Sequence, residues 1–318
     1  MSEKRWTVSL IILFALFLYV FHHFAAATMR IEETVNRFDK RDEERPDRLH
    51  FVIIGQEYDN PYWRKVEKGA SDAAHHLQVE VEYVGPLRTS VEEQLKLLEK
   101  AIASKVDGII VQGLLDEAFT PVINKAIHRN IPVITIDTDA PSSKRLAYVG
   151  TNNYAAGRLL GEAIIERTRG NQKIGIIIGT ETSENQKLRL KGLESVLERH
   201  PRFEIVAVRH SNISKIQASI QAEKILRTYP DISIMVGTSA LDATGILIAT
   251  KNLNRDDVQI FGFDDVEETI KAVGEGKIQA AVVQKPYSMG YDAVQLMYEY
   301  LKGRAIGELH FTPTELID

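Results

Sequence analysis

The chain has 318 residues and no cysteine, which rules out disulfides, thiolate catalysis, cysteine-ligated metal and a cysteine-linked lipid anchor. A length beyond one ordinary core predicts two lobes, and 44% hydrophobic with 26% charged residues describes a folded globular chain. The net charge of −5 supplies no basic face for nucleic acid.

The N-terminus carries a targeting signal. After residues 1–5, which read as a short cytoplasmic end, Trp6 to Phe21 hold no charge. Segment 6–28 is a transmembrane anchor or a signal segment, and either delivers the rest outside the cytoplasm. Ala25, Ala26 and Ala27 offer a cleavage site, which would leave a secreted or periplasmic protein. The length of the run, and the stripe Ile31, Val35 and Phe38 beyond it, favour a retained anchor. Residues 29–48 follow as a charged, solvated stalk.

From residue 49 apolar runs alternate with helical patterns. The run His50–Ile54 reads as a buried strand, and the stretch after Pro61 as a helix with Trp63, Val66 and Ala70 on one stripe. Tyr62 and Trp63, in its first turn, are either core residues or the wall of a binding cleft. Further strands are expected at 79–84, 108–112, 132–137, 147–151, 173–179, 203–208, 232–237, 258–263 and 279–284. Helices are expected between them, at 90–104, 116–129, 153–168, 184–199, 214–228, 240–252, 266–275 and 287–302. Continuous apolar strands alternating with helices predict an α/β fold, with parallel sheets divided between two Rossmann-like lobes.

Ligands of open α/β sheets sit beyond the carboxyl ends of the strands. Those ends carry Gln56 and Asn60, Gln112, Asp137, Thr151, Thr180, Thr238 and Ser239, Asp264 and Gln284. Amides and carboxylates beside aromatic faces suit a polyhydroxylated ligand. Asn60 also has the form of an Asx turn before Pro61, Asp137 that of a turn or helix cap, and Asp265 is expected to cap the helix after it. No nucleophile elbow, phosphate loop or metal-binding helix motif appears, so no enzyme and no cofactor are expected. His75 and His76 share a helix and read as solvent or packing residues rather than metal ligands.

The segments YDNPYWRKVEKGA, DGIIVQ, IPVITIDTDAP, YVGTNNYAAGRLLGE, IFGFDD and AAVVQKPYSMGYDA resemble, in order, the ribose-type periplasmic sugar-binding proteins. The resemblance runs from about residue 49 to 312. It implies two lobes joined by a three-segment hinge, with crossings near Val149–Thr151, Val283–Lys285 and Phe311–Pro313. Residues 49–150 with 285–311 would form the first lobe, and 151–284 with 312–318 the second. Tyr62 and Trp63 match aromatics that sandwich the sugar ring. Asp137 and Asp264 match ligand carboxylates from opposing lobes, Gln284 the hinge glutamine, and Gln112 an asparagine one methylene shorter. With the strand-end residues Gln56, Asn60, Thr151 and Ser239, and with Lys187, they make up the expected ligand-binding set.

The pattern also departs from ribose binding. Thr138 stands where an arginine follows the carboxylate, and Lys187 replaces a second arginine, with Arg189 one helical step away. Thr238–Ser239 replaces Asn-Asp, and Ile213 an aromatic. A lysine does not reproduce the arginine fork, so the implied ligand is a monosaccharide or similar polyol, not ribose in particular. The implied function is extracytoplasmic sugar binding for an ABC-type importer and its permease. The alternative is a membrane-anchored sugar sensor that signals to a histidine kinase. A lactose-type repressor shares the two-lobe core, but an apolar segment stands where its DNA-binding domain would be.

Overall fold

Alternation along the strands builds a core on both faces of each sheet. The computed structural model describes residues 48–318 together with Phe21 and Met29, so segment 6–28 and stalk 29–48 lie almost wholly outside the described residues. In β1 (His50–Ile54), Phe51 and Ile53 enter a core beneath α1 (Pro61–Leu77) and α9 (Pro286–Leu301). Val52 and Ile54 point the other way, into a core beneath α2 (Val91–Ala103) and α3 (Asp116–His128). The second lobe repeats the device. In β6 (Gln172–Ile178), Ile174, Ile176 and Ile178 pack under α4 (Asn153–Arg167) and α5 (Glu184–Leu197). Ile177 packs under α6 (Lys215–Thr228) and α7 (Asp242–Asn252).

These are two α/β lobes with six-stranded sheets. The first sheet takes β2 (Glu80–Val84), β3 (Gly108–Val111), β4 (Val133–Ile136), β5 (Ala147–Thr151) and β11 (Leu309–Thr312), in the order β11-β5-β4-β3-β1-β2, all parallel. The second takes β7 (Phe203–His210), β8 (Ile234–Gly237), β9 (Gln259–Phe263), β10 (Ala280–Val283) and β12 (Glu315–Ile317), in the order β12-β10-β9-β8-β6-β7. Its one antiparallel pairing is β10 with β12. Helix α8 (Glu267–Gly274) lies between β9 and β10.

Three segments carry the chain between the sheets: after Thr151, from Val283 to Pro286, and from Thr312 to Glu315. Thr151 and Thr312, read from sequence as second-lobe residues, end strands of the first sheet. Strands β11 and β12 had no counterpart in the sequence reading. Both are short edge strands that leave side chains exposed, so neither shows a continuous apolar run. No helix among the described residues is long and apolar enough to cross a membrane.

Glycines bring the cleft-bearing helices together. A Cβ at Gly69 of α1 would lie 1.9 Å from the Tyr287 carbonyl oxygen, and one at Gly290 of α9 1.9 Å from that of Val66. The second lobe has the same arrangement, with Gly157 of α4 against Arg189 and Gly192 of α5 against Tyr154. Backbone cannot yield as a flexible side chain does, so Gly290→Ala is expected to force α1 and α9 apart at a cost of about 1–3 kcal/mol. A thermal melt of the ligand-free variant matching the wild type would contradict this account.

Candidate functional site

Two aspartates occupy matching places at strand ends. Asp137 follows β4 and Asp264 follows β9, each 5% exposed and each in the left-handed region, at φ 62° and 67°. The backbone amide of each donates to the neighbouring strand, Asp137 to Val149 O at 3.0 Å and Asp264 to Val282 O at 2.8 Å. Non-glycine residues with positive φ are uncommon, although aspartate tolerates the conformation better than most. The turn aims both carboxylates into the space between the lobes.

On the first lobe the polar groups are largely committed to one another. Asp137 accepts from Tyr62 Oη at 2.7 Å, Gln112 Nε2 at 2.9 Å and Thr138 Oγ1 at 3.0 Å. Gln112 Nε2 also reaches Gln56 Oε1 at 3.2 Å, and Gln56 Nε2 donates to Thr89 at 2.9 Å. Asn60 Oδ1 caps α1 through the Tyr62 amide at 2.9 Å, and its Nδ2 donates to Glu57. The Asx-turn form of Asn60 is therefore present, and its amide borders the cleft as well. Trp63 is 2% exposed, meets Tyr62 edge-on at 5.8 Å and packs into the core while also lining the cleft. Tyr62 and Trp63 thus belong both to the packing of the core and to the wall of the cleft. Burial, followed by the Asp137 charge, holds the Tyr62 hydroxyl well above its ordinary pKa, so it stays a proton donor.

The second lobe keeps polar atoms unspent. Arg189, 2% exposed, donates through Nε to Asn153 Oδ1 at 2.8 Å and through Nη1 to Thr238 O at 2.9 Å. Its guanidinium carbon stands 4.2 Å from the centroid of the Phe263 ring. No carboxylate among the described residues pairs with it. Gln186 accepts at Oε1 from Gly179 N and Thr238 Oγ1, which leaves its Nε2 to the cleft. Asp264 accepts from Gln284 Nε2 at 2.7 Å. Burial pushes its carboxyl up to about 6, against the opposing pull of Arg189.

The crossings tie these walls together. Thr151 Oγ1 donates to Gln284 Oε1 at 2.8 Å, so the first crossing grips the second, and Gln284 passes that hold on to Asp264. Tyr148 Oη donates to Asp137 O at 2.8 Å and also contacts Asn153, the residue that receives Arg189. At the rim, Lys65 of α1 meets Asp265 at 2.8 Å across the cleft. Asp265 is not the cap of α8, whose N-cap position is Val266 and which has no side-chain cap.

The cleft contains about 440 Å³ of empty space, open solvent at its mouth included. Of the residues singled out from sequence, Gln56, Asn60, Tyr62, Trp63, Asp137, Ser239, Asp264 and Gln284 line it. Gln112 and Thr151 stand one layer behind, against Asp137 and Gln284. Lys187 is a correction: it is exposed on α5, while Arg189, two residues on and so turned well around the helix, is buried against the cleft. Asn185, Gln186 and Ala240 also line the cleft and were missed. The signal for Asn185 and Gln186 was a polar first turn, ENQK, in the helix that follows β6.

The Periplasmic binding protein domain family matches residues 51–305. GanP, a glucose-galactose binding protein from Geobacillus stearothermophilus, is 46% identical with a TM-score of 0.84, over 86% of this chain and 98% of that one. A chain of the XylFII-LytSN complex is 34% identical with a TM-score of 0.81, over 86% and 98%. The xylose/arabinose-binding protein XylF of Sulfolobus acidocaldarius is 26% identical over 79% of this chain, which spans 65% of that protein's length. The chain belongs to the periplasmic binding protein family.

Proposed function

We propose that this protein binds a monosaccharide in the cleft between its lobes and delivers it, as the substrate-binding component, to an ABC-type sugar importer. The observation that carries the reading is the make-up of the cleft. Two buried carboxylates aimed from opposite lobes, a buried guanidinium with no carboxylate partner among the described residues and an apolar aromatic wall match the acceptors, donors and flat faces of a sugar. The names of GanP and XylF support the same ligand class. Family membership implies an extracytoplasmic location. Segment 6–28 serves as a retained anchor in this reading, and the mass of the mature protein tests it, since a start near Thr28 would refute it. Residues 49–151 with 285–312, and 152–284 with 313–318, are the bodies that close on the ligand.

A thermal-shift screen of D-glucose, D-galactose, D-xylose, L-arabinose and D-ribose tests the proposal. A ligand at a hundred times its Kd should add about 2.7 kcal/mol to stability. A stabilising sugar should also compact the protein in small-angle scattering, because the polar groups come from both lobes. No shift with any sugar would overturn the reading. The sensor alternative is favoured by one observation, the likeness to a chain solved as the XylFII-LytSN complex. Co-purification from membranes separates the two roles: a permease supports import, and a histidine kinase supports signalling.

A further inference from the structure

We infer that Asp242 is a positioning residue of the ligand cleft, clamping from behind the two loops that carry Ile213 and Ser239 into it. This rests on reading the cleft as a sugar site. Asp242 opens α7 and is fully buried. One carboxylate oxygen accepts from Ser211 Oγ at 2.6 Å, and the other from the Ser239 amide at 2.9 Å. Ser211 Oγ in turn accepts from the Ile213 amide at 3.0 Å. Each arm of the carboxylate thus ends on a residue that lines the cleft, although Asp242 and Ser211 do not line it.

The loop held by the first arm is strained. Asn212 and Ile213 both take positive φ, 52° and 55°. For a β-branched residue this is an outlier conformation, which persists only where the surroundings over-determine it. Ile213 is held by Gly179 O at 3.2 Å and by Ser211, and Ser211 is held by Asp242. The loop held by the second arm carries Ser239, which lines the cleft and whose buried hydroxyl also acts on the Asp242 carboxyl.

Packing couples the two loops. A Cβ at Gly179 would stand 3.1 Å from Ile213 Cγ1, Gln186 Cδ and Ser239 Cβ alike. Three cleft side chains converge on one missing methyl, so a shift of one loop presses on the other. The clamp also works against the fold: burial raises the Asp242 carboxyl to about 6, and only neutral groups, from serines and the Thr238 and Ser239 backbone, oppose it. Its return is placement. Ile213 supplies an apolar wall and Ser239 a hydroxyl, and their positions set which sugars fit on the second-lobe side.

The test uses the full chain with Asp242→Ala, Asp242→Asn and Ser211→Ala. Amide hydrogen exchange at Ile213 and Ser239 is followed without ligand, and affinity is titrated with the five sugars named above, well below the melting temperature. Asp242→Ala should speed exchange at both amides about tenfold, weaken the preferred sugar about tenfold and flatten the preference among sugars. Ser211→Ala should speed only the Ile213 amide and weaken binding about threefold. Asp242→Asn keeps the shape and one acceptor oxygen, and should recover part of the loss. Unchanged exchange, or a lowered melt with affinity and preference intact, overturns the proposal. If Asp242→Ala does not fold, Ser211→Ala decides on the same readouts. If the wild type binds none of the sugars, the sugar reading falls and exchange alone judges the clamp.

Discussion

Replacing Arg189 with methionine is expected to weaken sugar binding about a hundredfold at neutral pH and to move the acid limit of binding upward. The guanidinium spans Asn153 and Thr238 O, stacks on Phe263 and turns its remaining nitrogen to the cleft. Methionine fills the volume but carries none of the donors. Hydrogen bonds from a charged group are worth about 1.5–3 kcal/mol each, so loss of one or two gives that factor. The pH effect runs through Asp264, whose carboxyl lies near 6 even with Arg189 opposing the effect of burial. Without the cation it rises further.

The sign of each consequence differs. An ionised Asp264 accepts sugar hydroxyls, so affinity falls as pH drops through about 6 in the wild type and through a higher value in the variant. For ligand-free stability the direction reverses. The folded state holds the proton from 3.8 up to about 6 while the unfolded chain has released it. The contribution of this group is therefore fully present below 3.8 and is lost as pH rises through about 6. Asp242 adds to the same trend. Titration calorimetry across pH separates the two roles of Arg189. Arg189→Lys should restore much of the acid limit but little of the affinity, because a lysine has the charge without the fork. An unchanged pH profile in the methionine variant would show that Arg189 does not govern Asp264.

The fold was legible because buried parallel strands leave nothing but apolar runs, as in VITI and AAVV, whose residues are all buried. It failed at β11 and β12, where edge placement removes that demand on the sequence. The cleft lining was legible where it coincides with a strand end, at Asp137, Asp264 and Gln284. Spacing alone did not separate Lys187 from Arg189, since helical phase is set by packing that the sequence leaves implicit. Nor could it show that Gln112 and Thr151 stand behind the wall, holding its residues. The left-handed turns at Asp137 and Asp264 carry no sequence mark, because aspartate at a strand end is equally common in ordinary turns. The network around Asp137 also changes what its substitution means. From sequence, an aspartate in an open cleft is expected to matter only with ligand present.

Asp137→Asn is expected to weaken binding by a hundredfold or more and also to lower the melting temperature of the ligand-free protein. The carboxylate is 5% exposed and collects three protein donors, from Tyr62, Gln112 and Thr138. An asparagine must turn its NH2 toward one of these groups. On the Oδ2 side it would face the Gln112 NH2, donor against donor, and on the Oδ1 side it would compete with the proton of Tyr62. A buried donor left without an acceptor costs about 1–3 kcal/mol, and this part appears without ligand. The ligand part adds to it, because the charge that strengthens hydroxyl donation is gone and Tyr62 is freed to swing from its place against the sugar face. Asp137→Ala separates the parts, since it removes the clash but not the loss of the acceptor. It should bind as poorly as the asparagine variant, while Tyr62→Phe, which deletes one donor only, should bind better than either. An asparagine variant with a lowered melt and wild-type affinity would make Asp137 a structural residue and leave Asp264 as the carboxylate that holds the ligand.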